Sequence, residues 1–135
     1  MAETRTYPHS ELTSGIIAAF YQVYNHLGYG FLEKVYENAL VHELRKRGYE
    51  VGQQVPITIW YDGVRVGDYF ADIVVNQVVI IEAKTAEHLD QAHEHQLLNY
   101  LRATRTEVGL LLNFGPTPEV RRKVYQPSRK GLDKS

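Results

Sequence analysis

At 135 residues the chain is long enough to bury a core without disulfide or metal staples, and its length fits one domain. It is 44% apolar and 23% charged, as ordinary globular chains are, and its lack of cysteine excludes disulfides, thiol nucleophiles and thiolate zinc sites. With 15 basic and 16 acidic residues the net charge is −1, which argues against a dedicated nucleic-acid packaging protein and leaves room for an enzyme whose acids gather at a metal site.

Met1 to His9 is polar and lacks the apolar stretch of a signal peptide. No apolar run approaches the roughly 18 residues of a membrane span, so a cytoplasmic protein with no membrane partner is expected. From Ser10 to Leu27, the residues Ile16, Ile17, Phe20, Val23, Tyr24 and Leu27 recur at helical steps, with Ser10 or Thr13 as the expected cap. Gly28 and Gly30 stop that helix. A second helix is expected from Leu32 to Arg47, ended by Gly48.

The period then changes to two. Val55, Ile57 and Ile59 alternate with polar neighbours, Asp62-Gly63 makes a turn, and Val64 to Tyr69 returns. Phe70–Val75 and Val78–Ala83 form a second pair around Asn76-Gln77. A third helix is expected over Asp90–Ala103, a compact strand over Val108–Phe114, and an edge strand over Val120–Tyr125. The fold expected is α/β with one sheet. The domain should span residues 10–125, between polar tails at 1–9 and 126–135.

The pair Phe70–Val75 and Val78–Ala83 is apolar on both faces, as a central strand pair should be. Asp72, Glu82 and Lys84 interrupt it, and charges are rarely buried unless paired or bound to a metal. Glu82 and Lys84 leave the same face of their strand. A two-residue turn would set Asp72 opposite Ile81. An odd loop, with Val75 facing Val79, pairs Val74 with Ile80 and brings Asp72 opposite Glu82. The odd loop keeps the apolar sets together and is therefore expected. A D…ExK pattern alone is more often a structural ion pair than a catalytic site.

Two helices add polar groups to apolar arcs. At about 100° per residue, Glu33 falls between Leu40 and Leu44, and Glu43 falls in the same arc. On the third helix, His93, Gln96 and Tyr100 share one side with Leu89 and Leu97, where polar groups need partners. His93 and His95 diverge by about 200° and make a poor zinc pair.

These residues resemble a known family. Gly30-Phe31-Leu32-Glu33-Lys34-Val35-Tyr36 reads as GxxExxY, the naming motif of the GxxExxY proteins, a branch of the PD-(D/E)XK nuclease superfamily. The resemblance continues through Tyr36-Glu37-Asn38-Ala39-Leu40, Tyr61-Asp62-Gly63, Ala71-Asp72, Ile81-Glu82-Ala83-Lys84, His93-x-x-Gln96-Leu97-Leu98-Asn99-Tyr100-Leu101 and Leu111-Leu112-Asn113-Phe114-Gly115. It implies a restriction-endonuclease-like αβββαβ core with a mixed sheet flanked by helices. By that match Asp72 is the acid of motif II, and Glu82 and Lys84 are the (D/E)xK of motif III. Glu33 is the helix-borne acid, and Gln96 and Tyr100 form a QxxxY element. Ala71 stands where the family often has proline, and His95 where small residues are frequent.

The resemblance and the residues together imply a metal-dependent nuclease acting on nucleic acid, DNA more than RNA. Asp72, Glu82, Glu33 and the Ala83 carbonyl offer hard oxygen donors suited to Mg²⁺ or Mn²⁺. Lys84 would orient or deprotonate a water, or neutralise charge building on the phosphate. Arg45, Lys46, Arg47, Arg102, Arg105, Arg121, Arg122 and Lys123 are the cations on offer to the substrate. Restriction-type relatives often work as homodimers, but no interface is legible here. The rival reading is a catalytically inactive nucleic-acid-binding or protein-interaction module on the same fold. No helix-turn-helix, zinc finger or glycine-rich phosphate loop is present.

Overall fold

The computed structural model describes residues 8–126. The elements run α1 (Ser10–Leu27), α2 (Glu33–Lys46), β1 (Val51–Tyr61), β2 (Val64–Val75), β3 (Val79–Lys84), α3 (Gln91–Thr104), β4 (Val108–Asn113) and β5 (Glu119–Val124). The expected tails at 1–9 and 126–135 lie outside the described residues, apart from Pro8, His9 and Gln126. The strands form one sheet in the order β1-β2-β3-β4-β5. Only β3 and β4 pair in parallel, and α3 supplies the crossover that a parallel step requires. This is the expected α/β architecture with a mixed sheet, and β3 occupies its centre as two-sided burial demands.

The sheet separates two apolar cores. On one face α1 and α2 lay Ile16, Phe20, Leu40 and Leu44 against Ile73, Val75, Val79 and Ile81. On the other, α3 lays Leu97, Tyr100 and Leu101 against Ile57, Ile80 and Leu111. Gly109 lets α3 come close: a Cβ there would stand 2.8 Å from Leu97 Cδ1. That close approach sets the height of the α3 side chains above β3 and β4. Among the described residues no helix is long and apolar enough to cross a membrane.

Three local expectations are corrected. Val64–Tyr69 and Phe70–Val75 are one continuous strand, β2, because no turn residue separates them and β1 pairs along its whole length. β1 starts at Val51, four residues earlier than its alternation suggests, because Gln53 and Gln54 conceal the pattern. Neither Ser10 nor Thr13 caps α1. His9 is the N-cap, in a left-handed conformation (φ 54°) with no side-chain cap bond. Ser10 is already helical, and Thr13 donates its hydroxyl to the Ser10 carbonyl.

Candidate functional site

The β2–β3 connection is the odd loop expected from the apolar sets. Val75 pairs with Val79, Val74 with Ile80 and Ile73 with Ile81. Asn76 and Gln77 adopt left-handed φ values of 50° and 61°, which fits a tight loop. Regular pairing stops at Ile73–Ile81, one step short of Asp72 and Glu82. There the side chains replace the ladder. The Asp72 amide donates to Glu82 Oε2 at 3.0 Å, and the Ala83 amide donates to Asp72 Oδ2 at 2.9 Å. Each carboxylate thus satisfies the backbone of the opposing strand. The N–H and C=O of one strand residue face the same neighbour, so the Ala83 carbonyl also faces this gap.

Burial and mutual repulsion oppose ionisation here. Burial first, then the charge of Asp72, pushes Glu82 up to about 8, despite the Asp72 amide and Lys84. Burial also raises Asp72, and the Ala83 amide only partly offsets it. Two acids side by side in this setting are destabilised as a pair of anions. Lys84 is the cation that lowers both, and its Nζ donates to Gln96 Oε1 at 3.4 Å.

The turn into α2 shows what the GxxExxY residues do structurally. Gly30 takes φ 124°, open to glycine and strained for other residues. Tyr36 is fully buried and stacks on Phe114 with ring centroids 4.7 Å apart. Its hydroxyl donates to the Gly28 carbonyl and accepts from the Phe31 amide at 3.1 Å. Tyr36 therefore clamps the 28–31 loop and fixes where α2 begins. Glu33 is the first residue of that helix.

Glu33 itself is solvent-exposed, contrary to its place inside the apolar arc. A wheel gives an angle but not whether anything lies over it, and the α2 entrance projects, with Leu32 79% exposed. Partial desolvation still raises the Glu33 carboxyl, which feels Lys84, Asp72, Glu37 and His93. It stands within electrostatic reach of the acid pair, with no hydrogen bond to it.

One helical turn on, Glu37 is the acid that sequence reasoning missed. It is 3% exposed and accepts from Lys34 Nζ, Gln53 Nε2 and Gln54 Nε2 at 2.8 to 3.2 Å. Gln54 also donates to Asp72 Oδ1 at 3.3 Å, which joins α2 to the acid pair. Gln54 lies between the Gln53–Ile73 and Val55–Ala71 pairs with φ 53°, a strained backbone for a non-glycine residue in a strand. The signals were present: Glu37 lies four residues after Glu33, and Gln53-Gln54 breaks an otherwise apolar strand.

On α3, Tyr100 is buried as expected. Burial and the nearby Glu82 and Asp72 charges raise its hydroxyl, so it stays protonated. Gln96 is exposed rather than buried, because it points along the rim towards Lys84. His93 belongs to the α3 capping box: its Nδ1 accepts from the Asp90 amide, and Asp90 Oδ1 accepts from the His93 amide. His95 is exposed. The loop between Lys84 and α3 is pinned by fully buried Asn113, which exchanges two 2.9 Å hydrogen bonds with Ala86.

The cations expected to meet a substrate are largely spent inside the chain. Lys46 and Arg47 pair with Glu43, Arg121 and Lys123 with Glu94, and Arg45 donates to the Val51 carbonyl. Arg122 donates to the Pro8 carbonyl. Among the described residues, no group of three or more His, Asp and Glu side chains is assembled closely enough to hold a metal ion. Asp72 and Glu82 form a two-acid centre, with Glu33 and Glu37 at its border.

Comparison with known proteins gives three findings. The sequence profile of the PD-(D/E)XK nuclease superfamily matches residues 10–124. No curated protein matches the chain. Among solved structures, the crystal structure of SSO0001 is similar at 21% identity and a TM-score of 0.54, covering 89% of this chain. This chain spans 61% of the SSO0001 chain, and at that identity the likeness is one of fold.

Proposed function

Because the chain belongs to the PD-(D/E)XK nuclease superfamily, we propose that it hydrolyses phosphodiester bonds of nucleic acid, DNA ahead of RNA, at the centre formed by Asp72, Glu82 and Lys84. Within the superfamily we assign it to the GxxExxY branch, on Gly30, Glu33 and Tyr36. The observation that carries the reading is the splayed end of β2 and β3, where buried Glu82 and half-buried Asp72 face each other beside one lysine.

The donor set fits a divalent cation such as Mg²⁺ or Mn²⁺. Asp72 and Glu82 are adjacent hard-oxygen groups whose ionised forms burial and repulsion disfavour, and a cation relieves both penalties. Asp72, Glu82 and the Ala83 carbonyl would hold it, with Glu33 joining from the start of α2. When bound, it supplies Lewis-acid stabilisation to the charge that builds on the scissile phosphate. The remaining work falls to the chain. Lys84 places an ammonium beside both acids, where it orients the attacking water and neutralises phosphate charge. Gln96 accepts from that ammonium and holds its direction. Tyr100 keeps its proton and can donate it to a phosphate oxygen. Gln54 and Glu37 hold Asp72 in place.

The test is cleavage of labelled single-stranded, double-stranded and branched DNA, and of RNA, with Mg²⁺, Mn²⁺ or EDTA. Cleavage that requires the cation and that Asp72→Asn abolishes is the expected result. An inert wild type across all substrates would instead support a non-catalytic module on this fold.

A further inference from the structure

The acid centre is bordered by exposed rings. Phe70 is 53% exposed and precedes Asp72 by two residues; its neighbours Tyr69 and Ala71 face α3, so strand alternation turns Phe70 to the opposite side of β2. Tyr69, 50% exposed, holds its ring 5.8 Å from that of Tyr100, which feels the charge of Glu82. Across the site Phe31 is 51% exposed and precedes Glu33 by two residues. Its amide is tied to the Tyr36 hydroxyl, and its ring meets Tyr36 edge-on at 6.1 Å. These rings are positioned by the fold, and nothing among the described residues covers them.

Charge near the site gives little to a phosphate backbone. The hairpin arginine, Arg65, is bound to Asp68 through three hydrogen bonds of 2.8 to 3.2 Å. Lys34 is committed to Glu37, and the other basic side chains around α2 and β5 are paired as described above. Duplex DNA presents phosphates outward and hides its base faces, so it needs a cationic track. An unpaired strand exposes base faces, which stack on aromatic side chains with little regard to sequence. Among the described residues, a rim rich in rings, whose neighbouring cations other than Lys84 are paired, matches the second ligand.

We propose that Tyr69 on the α3 side, and Phe70 and Phe31 on the α2 side, form a base-stacking wall on the two flanks of the acid centre, and that the site takes unpaired nucleotides: a single strand, a flap or a frayed end. This rests on the nuclease reading for the chemistry but not for the binding. The stacked bases would hold the sugar-phosphate of the flanking nucleotide over Asp72 and Glu82.

The experiment measures binding of the full chain, in EDTA so that no cut occurs, to a labelled DNA oligonucleotide as a single strand or as a blunt duplex. The single strand should bind more tightly, with a shallow salt dependence. Phe70→Ala and Tyr69→Ala should each weaken it by about five-fold or more, the scale of one lost stacking contact. Phe70→Tyr should restore binding, and Phe70→Leu, which keeps bulk without a ring, should not. Equal or tighter duplex binding, or unchanged affinity in both alanine variants, overturns the wall. So does a solution dimer that Phe70→Ala dissociates, since a second copy would then cover these rings. The two readings fail separately. Ring-dependent binding without cleavage under Mg²⁺ leaves the wall and removes the nuclease, whereas cation-dependent cleavage indifferent to Phe70 and Tyr69 does the reverse.

Discussion

One group of acids ties α3 to β5, another sits at the open end of β2 and β3, and the chain treats them in opposite ways. Glu94 and Glu119 are surrounded by partners. Lys123 Nζ lies 2.7 Å from Glu94, Arg121 reaches both acids at 3.7 Å, and the Leu89 amide and Asn113 Nδ2 donate to Glu119 Oε1. The Lys123 hydrogen bond holds Glu94 below the usual carboxylate range, and the Leu89 amide does the same for Glu119. Asp72 accepts from the Ala83 amide and Gln54, and Glu82 from the Asp72 amide, yet burial outweighs these bonds and the single lysine, and both are pushed up. The first group joins α3, β4 and β5. The second stores unfavourable electrostatics at the splayed end of β2 and β3, as the proposed cation site would require and a structural ion pair would not.

The sharpest way to break this contrast is to neutralise the lysine on each side. Lys84→Met should reduce cleavage by roughly 10²–10³-fold, the scale of losing one preorganised charge at a reacting centre. Lys123→Met should leave kcat/KM within about two-fold, as for a partly exposed structural pair. Steady-state rates on the best substrate decide it. Equal losses would mean that Glu94, Lys123 and Arg121 belong to the substrate track.

Stability should respond with opposite signs. Glu82→Gln removes a buried acid that cannot ionise comfortably yet keeps an oxygen for the Asp72 amide. In cation-free buffer at neutral pH it should raise unfolding free energy by about 1–3 kcal/mol. Glu119→Ala strands the Leu89 amide and Asn113 Nδ2 and should cost about 1–3 kcal/mol. Mg²⁺ or Mn²⁺ should then stabilise wild type and Glu119→Ala but not Asp72→Asn, as melting curves would show. Identical cation responses in wild type and Asp72→Asn would remove the metal from this site.

The sequence made the second group legible only in part, for physical reasons that differ by residue. The register of Asp72 against Glu82 followed from the parity of one loop and the two apolar sets, because a one-residue slip would expose them all. Position on a helix was weaker information. The wheel put Glu33 and Glu43 on one arc, yet Glu33 is exposed at the open entrance of α2, and Glu43 is buried but bonded to Arg47 and Lys46. For Glu37 and Gln54 the sequence carried a signal but not their role, which comes from pairing across the fold and, for Gln54, from a left-handed backbone no propensity predicts. The commitment of Lys123 and Arg121 to Glu94 is likewise a tertiary fact. Helix and strand order was local, and it emerged almost intact.

The smallest effect is the most discriminating, because the two groups should bend the stability curve in different pH windows. Glu94 and Glu119 are lowered, so they stabilise the fold above the ordinary glutamate value and lose that contribution as pH falls through their depressed values. Their part of the curve is acid denaturation below about pH 4.5. Glu82 is raised from 4.5 to about 8, so the folded state holds its proton where the unfolded state does not. Its contribution therefore worsens as pH climbs through that interval and levels off above it. Cation-free wild type should lose stability gently from weakly acidic to weakly alkaline pH, and Glu82→Gln should flatten that slope while keeping the acid limb. Glu94→Gln should blunt the acid limb and leave the slope alone. Denaturant melts across pH for these three proteins decide the matter. Asp72, raised by its own burial, leaves part of the slope. A slope as steep in Glu82→Gln as in wild type would mean that Glu82 is not held protonated, and the contrast between the two acid groups would fall with it.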